Sequence, residues 1–175
     1  MTYQLQGPCI VLRPVQVADL PPLLTILREP AVARHWSAPD DAVDQAELLG
    51  GDPVDAGECV TTFVISRSGE TVGWIAACEQ LHRDYRHAGI DLFVATAHQG
   101  QGIGVEAIRL VCRFLFEERG HHRITIDPAA DNLRAIRTYE RVGFRRVGIM
   151  RQYERGADGT YHDGLLLDLL PEDLA

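Results

Sequence analysis

Apolar positions along the chain switch between a helical and a strand period, and the switch points outline the fold. The run Ile10-Val11-Leu12-Arg13 predicts a first strand, closed by Pro14. Leu20, Leu23, Leu24 and Leu27 then fall at helix spacing, with Asp19 as the expected N-cap and Pro21 and Pro22 suited to the first turn. Glu29-Pro30 ends that helix. Residues 40–49 fit a second short helix, followed by a loop at Gly50-Gly51-Asp52-Pro53. Thr61 to Ile65 is β-branched and aromatic, Ser68-Gly69-Glu70 reads as a turn, and Thr71 to Ala76 returns as the partner of a hairpin.

The second half repeats the alternation of periods. Ala88 to Ala95 predicts a strand, and Ile108, Val111, Cys112 and Leu115 a helix that Gly120 terminates. Arg123-Ile124-Thr125-Ile126-Asp127 alternates as a strand does. Asp131 or Asn132 caps a helix through Leu133, Ile136 and Tyr139, which stops at Gly143. Two last strands, about 144–153 and 164–170, flank a turn at Gly156 to Gly159. The order βααβββαβαββ mixes hairpins with one strand–helix–strand unit, so the expected class is α+β around a mostly antiparallel sheet flanked by helices. With 175 residues and no repeat or linker, one domain over residues 1–175 is expected.

Composition narrows the function. The net charge is −8, which argues against nucleic acid and favours a small cationic partner. Seven acids and no base lie between Ser37 and Glu58, a run that suits either a solvated surface or the rim of a polycation site. No apolar stretch approaches the roughly 20 residues of a membrane span, and Met1 to Gln6 lacks the pattern of a signal peptide, so a cytoplasmic protein without membrane contact is expected. Cys9, Cys59, Cys78 and Cys112 are widely spaced, as suits free, mostly buried thiols, and the histidines show no zinc spacing, so no metal site is expected.

The chemistry-bearing segment is Gln99-Gly100-Gln101-Gly102-Ile103-Gly104, between a predicted strand and a predicted helix. Glycines let backbone approach a ligand closely, and the start of a helix presents unpaired N–H groups with a positive dipole end, so the loop suits phosphate or pyrophosphate. A P-loop needs Gly-Lys-Ser/Thr, whereas Val105-Glu106 follows Gly104; a dinucleotide fingerprint beginning at Gly100 needs glycine at 105. Both nucleotide readings therefore fail.

Gln99-x-x-Gly102-x-Gly104 resembles the coenzyme A pyrophosphate motif of the GNAT acyltransferase superfamily. The later segment Asn132-x-x-Ala135-x-x-x-Tyr139-x-x-x-Gly143-Phe144 resembles that superfamily's second signature, in the expected order. The resemblance implies acetyl-coenzyme A (acetyl-CoA) as co-substrate. It places a cofactor site at Leu92, Phe93, Val94, Gln99, Gly100, Gln101, Gly102, Ile103, Gly104, Asn132 and Tyr139. By the same resemblance, backbone N–H groups of Leu92, Phe93 and Val94 polarise the thioester carbonyl, where their strand splays from the next. Tyr139 faces the coenzyme A sulfur as the general acid. Asp91 is the candidate base or amine-orienting group: an ordinary aspartate near ~4 lies about six units below an ammonium near ~10, so it needs burial or a relaying water to act.

A closer resemblance is to bacterial aminoglycoside 6′-N-acetyltransferases. It is carried by Gly89-Ile90-Asp91, Thr125-Ile126-Asp127-Pro128, the run from Asn132 to Glu140 and Gly143-Phe144. It implies substrate contacts from Trp36, Glu58, Asp91 and Asp127, and drug resistance on expression. The family's pattern differs at Leu81 to Ala88, which here is short and holds His82, Arg83, Arg86 and His87. Enzymes that acetylate protein N-termini share the early strand and helix pair, and an acyl-CoA-binding module without catalysis is the reading from another class. Monomer and homodimer both remain open.

Overall fold

The computed structural model describes residues 3–36, 42–50, 58–156 and 158–175. Eight strands form one sheet: β1 (Leu5–Gln6), β2 (Val11–Pro14), β3 (Glu58–Arg67), β4 (Glu70–Gln80), β5 (His87–Val94), β6 (Ile124–Ile126), β7 (Arg145–Arg155) and β8 (Tyr161–Leu169), in the order β1-β2-β3-β4-β5-β6-β8-β7. Every pair is antiparallel except β5–β6. The expected mixed, mostly antiparallel sheet is therefore present. Of the seven-acid run, Asp40, Asp41, Asp52 and Asp55 lie outside the described residues, as does most of the loop at Gly50 to Pro53.

Helices cover both faces. On one face α4 (Ile103–Arg113) and α5 (Leu133–Val142) press Ile108, Val111, Ile136 and Val142 onto Phe63, Ile65, Ile75 and Ile90. On the other, α1 (Leu20–Leu27), α2 (Pro30–Ala33) and α3 (Ala42–Leu49) supply Leu23, Leu27, Val32 and Leu48 against Val64, Trp74 and Phe93. Because both faces are covered, Val72 to Ala77 are all buried, and the alternation expected of a half-solvated strand is lost there. The Trp74 indole N–H donates to Leu48 O at 2.9 Å and pins α3 to the sheet.

Local chemistry departs from expectation at several points. Asp19 precedes α1 but does not cap it: its carboxylate takes both guanidinium nitrogens of Arg13 at 2.6 and 2.7 Å and the Gln16 N–H at 2.9 Å. A charge-assisted fork outweighs a cap. Pro30 follows the end of α1 but also opens α2, because its fixed φ suits a first helical position. The choice at α5 falls on Asn132, whose side chain accepts from the Ala135 N–H at 3.2 Å. Beyond α4 the chain continues into a π-turn at Phe114–Glu118 before Gly120, at φ +68°, ends it. All four cysteines are free, but Cys9 and Cys78 are exposed, so the expectation of mostly buried thiols is corrected. Cys9 lies in the turn between β1 and β2, and Cys78 near the end of β4.

One buried polar cluster lies away from the cleft. The Glu79 carboxylate, with no exposed side-chain area, accepts from Arg119 Nε at 3.0 and 3.1 Å and pairs with His121 Nε2 at 2.7 Å. It ties the π-turn end of α4 to β4. Glu79→Ala leaves the Arg119 guanidinium and the His121 ring without their acceptor, and breaking a buried pair from one side costs about 3–5 kcal/mol. Thermal unfolding of the variant is expected to drop by roughly 10 °C for a chain of this size. A midpoint within a degree of the parent's shows that solvent already serves the cluster.

Candidate functional site

The site follows from one break in the sheet. β5 and β6 pair only at Ala88↔Ile124 and Gly89↔Thr125, and beyond Gly89 they part. The gap opens a cleft of about 1060 Å³ lined by β5, the glycine loop, α5, the end of α2 and the tip of β7. Backbone pairing decides which N–H groups face it. The Ala95 N–H donates to Val72 O at 2.9 Å, so ladder bonding to β4 recurs every second residue, at Phe93 and Asp91. The N–H groups of Leu92 and Val94 point away from β4 on the side of the gap, and that of Leu92 is taken by Asp91 Oδ1 at 3.0 Å. Phe93 lines the cleft with its ring, but its N–H is turned to β4, which corrects the expectation that all three could polarise a ligand.

The glycine loop forms the wall at one end. Gly100 and Gly102 take φ of +74° and +84°, the left-handed region where a side chain is strained, and open space surrounds the position of a Cβ on either. Gly102 is the N-cap of α4, so the first N–H groups of the helix have no acceptor within it and face the cleft end. Gln99 braces the loop: its amide donates to Val94 O at 2.7 Å and accepts from Arg134 Nη1 at 2.5 Å. Gln101 turns outward to Arg67 and Ala97, and Ile103 is buried in the core, so these two shape the loop rather than line the cleft. The residues present thus fit a pyrophosphate: exposed backbone donors, no obstructing Cβ, and arginines nearby.

Carboxylates hold the opposite end. Asp91 is the fifth residue of β5, mid-strand rather than at its start, and shares the sheet face covered by α1–α3. The cleft opens over it, so its surface is exposed, yet protein surrounds it on the remaining sides. That enclosure first, and the charge of Asp127 second, push its carboxyl up to about 7, against the Leu92 N–H, which donates to Oδ1 at 3.0 Å. Asp127 follows β6 across the gap and accepts from the Tyr153 hydroxyl at 2.7 Å. Burial and the charge of Asp127 raise Glu154, while His35 and His162 oppose the shift. Tyr139 enters from α5 on the other sheet face and is buried. Burial, then Asp91 and Asp127, hold its phenol well above the usual range, so it stays protonated.

The cleft brings together Trp36, Asp91, Leu92, Phe93, Val94, Gln99, Gly100, Gly102, Gly104, Asp127, Asn132 and Tyr139 of the expected residues. Trp36 packs edge-on against Phe93 and Trp74 at 5.3 and 5.8 Å between ring centroids. Glu58 does not line the cleft; it begins β3 on the same sheet face as Asp91, beside Gln80. His82, Arg83, Arg86 and His87 stand clear of the cleft, and Arg86 is spent on Arg119 O at 2.6 Å. Sequence reasoning missed Arg134, Arg137 and Arg141, whose spacing of three and four puts them along one helical stripe and could have revealed them. It also missed Tyr153 and Glu154, for which no signal existed, because an irregularity in β7 aims them.

Comparison with known proteins agrees with this geometry. Residues 10–145 match the acetyltransferase (GNAT) domain model. The chain is 31% identical over 153 residues to an aminoglycoside N(6′)-acetyltransferase type 1 of Klebsiella pneumoniae, covering 79% of this chain and 75% of that one. The solved AAC(6′)-Ib in complex with ribostamycin and coenzyme A is 27% identical, with a TM-score of 0.74 over 94% of this chain and 95% of that one. RimL, a ribosomal alpha-N-protein acetyltransferase in complex with coenzyme A, shares the fold at 16% identity, with a TM-score of 0.78 over 96% and 98% of the two chains. Among the described residues no helix is long and apolar enough to cross a membrane, and no group of side chains could hold a metal ion. A glycine loop opening a helix, a strand pair that parts beside it, and a family model spanning most of the chain converge: this protein belongs to the GNAT acetyltransferase family.

Proposed function

We propose that this chain transfers the acetyl group of acetyl-CoA to a primary amine of a polycationic acceptor, the 6′-amine of an aminoglycoside foremost. The observation that carries this reading is the two-ended charge of the cleft. Arg134, Arg137, Arg141 and the start of α4 occupy the donor end, and Asp91, Asp127 and Glu154 the acceptor end. Arg34 stands near the acceptor end but lies 3.6 Å from Asp131, which offsets it.

Asp91, at about 7, takes a proton from the bound ammonium far more readily than an ordinary aspartate does. The freed nitrogen attacks the thioester carbon, and the Val94 N–H receives the charge that builds on its oxygen, the Leu92 N–H being held by Asp91 Oδ1. As the carbon–sulfur bond breaks, Tyr139 donates its proton to the departing sulfur. The proton that nitrogen sheds on becoming an amide restores the tyrosine. Trp36 offers a flat wall for a sugar ring. No cysteine lines the cleft, so nothing points to an acetylated enzyme intermediate.

An acetylation screen read by release of free thiol tests the proposal, using kanamycin-type aminoglycosides, polyamines and N-terminal peptides. Turnover is expected to be highest on an aminoglycoside, and Tyr139→Phe is expected to lower kcat by at least about tenfold there. A preference for N-terminal peptides identifies a protein acetyltransferase instead. Coenzyme A binding without turnover on any amine leaves only a binding module.

A further inference from the structure

Asp127 is held from an unexpected direction. β7 is the outermost strand, and β8 lies between it and β6. Tyr153 on β7 nevertheless reaches past β8 to the carboxylate that follows β6. Neighbouring strands lie about 4.8 Å apart, close to the reach of a tyrosine ring laid flat across one of them. Two features make that path possible. At Gly164 of β8, which bridges to Ala129, an added Cβ would stand 2.9 Å from Tyr153 Cδ1 and 3.3 Å from Met150 Cε, so the ring needs the missing side chain. The register of β7 on β8 also shifts between Met150 and Glu154, where Gln152 takes φ +49°. That strained residue is held by its N–H, which donates to Asp163 Oδ1 at 2.9 Å. A tyrosine that merely decorates an edge strand needs neither feature.

We propose that Tyr153 is a positioning residue for the acceptor, its hydroxyl fixing Oδ2 of Asp127 so that Oδ1 is presented to an ammonium group. This rests on the reading of the carboxylate end as the acceptor site. A carboxylate turning freely offers either oxygen in many directions, whereas one held at Oδ2 accepts from a single side. Oδ1 of Asp127 makes no hydrogen bond to any described residue. The charges facing the Tyr153 hydroxyl come from Asp127 after β6, Glu154 on β7 and Asp91 on β5; the bond to Asp127 leads, and together with burial they push the phenol up to about 12. It therefore remains a donor across the working range.

Steady-state kinetics of Tyr153→Phe and Gly164→Ala, with a kanamycin-type aminoglycoside and acetyl-CoA as probes, test the proposal. Phenylalanine keeps the ring and its packing and removes only the donor. Losing a hydrogen bond to a charged group is expected to raise KM for the aminoglycoside roughly tenfold to a hundredfold, while KM for acetyl-CoA changes less than about twofold and the melting temperature holds. Gly164→Ala, which displaces the ring, is expected to reproduce the split. An unchanged aminoglycoside KM in Tyr153→Phe overturns the positioning role even if Asp91→Asn still lowers turnover. If the parent protein acetylates no amine, the functional reading fails separately, and ultraviolet titration of the tyrosines decides the Tyr153–Asp127 link. Asp127→Asn is then expected to bring one phenol down from about 12 toward the ordinary ~10; no shift overturns the link.

Discussion

Asp91→Asn is expected to lower kcat/KM for the amine by about 10²- to 10⁴-fold, the usual contribution of a placed general base. The pH profile distinguishes this from loss of a binding contact. The free protein holds Asp91 at about 7, so the parent's kcat/KM should fall about tenfold for each unit below that value as the base becomes protonated. The variant should lose that limb and run flat through the same range. An ordinary aspartate near ~4 leaves an ammonium near ~10 about six units away; at about 7, roughly half the gap remains. A parent profile flat from pH 5 to 8 sinks Asp91 as the base.

The same residue should also trade stability for function. Its folded value lies above its unfolded one, so the native state holds the extra proton between about 4 and about 7. The ionised form is therefore a burden on the fold at higher pH. Asp91→Asn is expected to raise the melting temperature above pH about 7, with the gain shrinking as pH falls and disappearing near the ordinary aspartate value. A carboxylate placed where its charge is disfavoured points to function rather than packing.

The glycine loop was legible in the sequence, while the arginines of α5 and half of the carboxylate end were not, for reasons specific to each. The glycine loop is local: Gln99 to Gly104 is contiguous, and positive φ at Gly100 and Gly102 is something only glycine adopts without strain. The carboxylate end is assembled across the sheet. Asp91 comes from β5, Asp127 from just past β6, and Tyr153 and Glu154 from β7, and β5 meets β6 at only two residue pairs. Period-two alternation cannot forecast a strand that parts from its neighbour, nor a register shift such as the one that re-aims Tyr153. The same limit explains Phe93, whose type and place fit a polarising role while its ladder bonding to β4 does not. Local competition explains Asp19, where Arg13 six residues away outbids the helix end.

Gly104→Val is expected to weaken coenzyme A binding by about a hundredfold, because the loss of two charge-assisted hydrogen bonds amounts to about 3 kcal/mol or more. The argument turns on which glycines the fold needs and which the ligand needs. Gly102 serves the fold: at φ +84° an alanine there costs about 1–2 kcal/mol before any ligand is considered. Gly104 differs. It is the second residue of α4, and a Cβ added there would meet Thr138 Cγ2 at 3.8 Å and Leu92 Cδ1 at 4.0 Å, ordinary contacts. Gly104→Ala should therefore fold at least as well as the parent, gaining up to about 1 kcal/mol of helix propensity, and should still bind. Valine adds two branches just beyond that Cβ. The Cβ leans toward the start of the helix, where the unpaired N–H groups lie, and Thr138 and Leu92 stand in contact on its other side. Calorimetry of coenzyme A with the two variants separates the cases. Retained binding in alanine and loss in valine, both with parental melting temperatures or higher, means that the ligand lies against the start of α4. Equal binding by both removes the glycine loop from the donor site, and with it the charge polarity on which the acceptor reading depends.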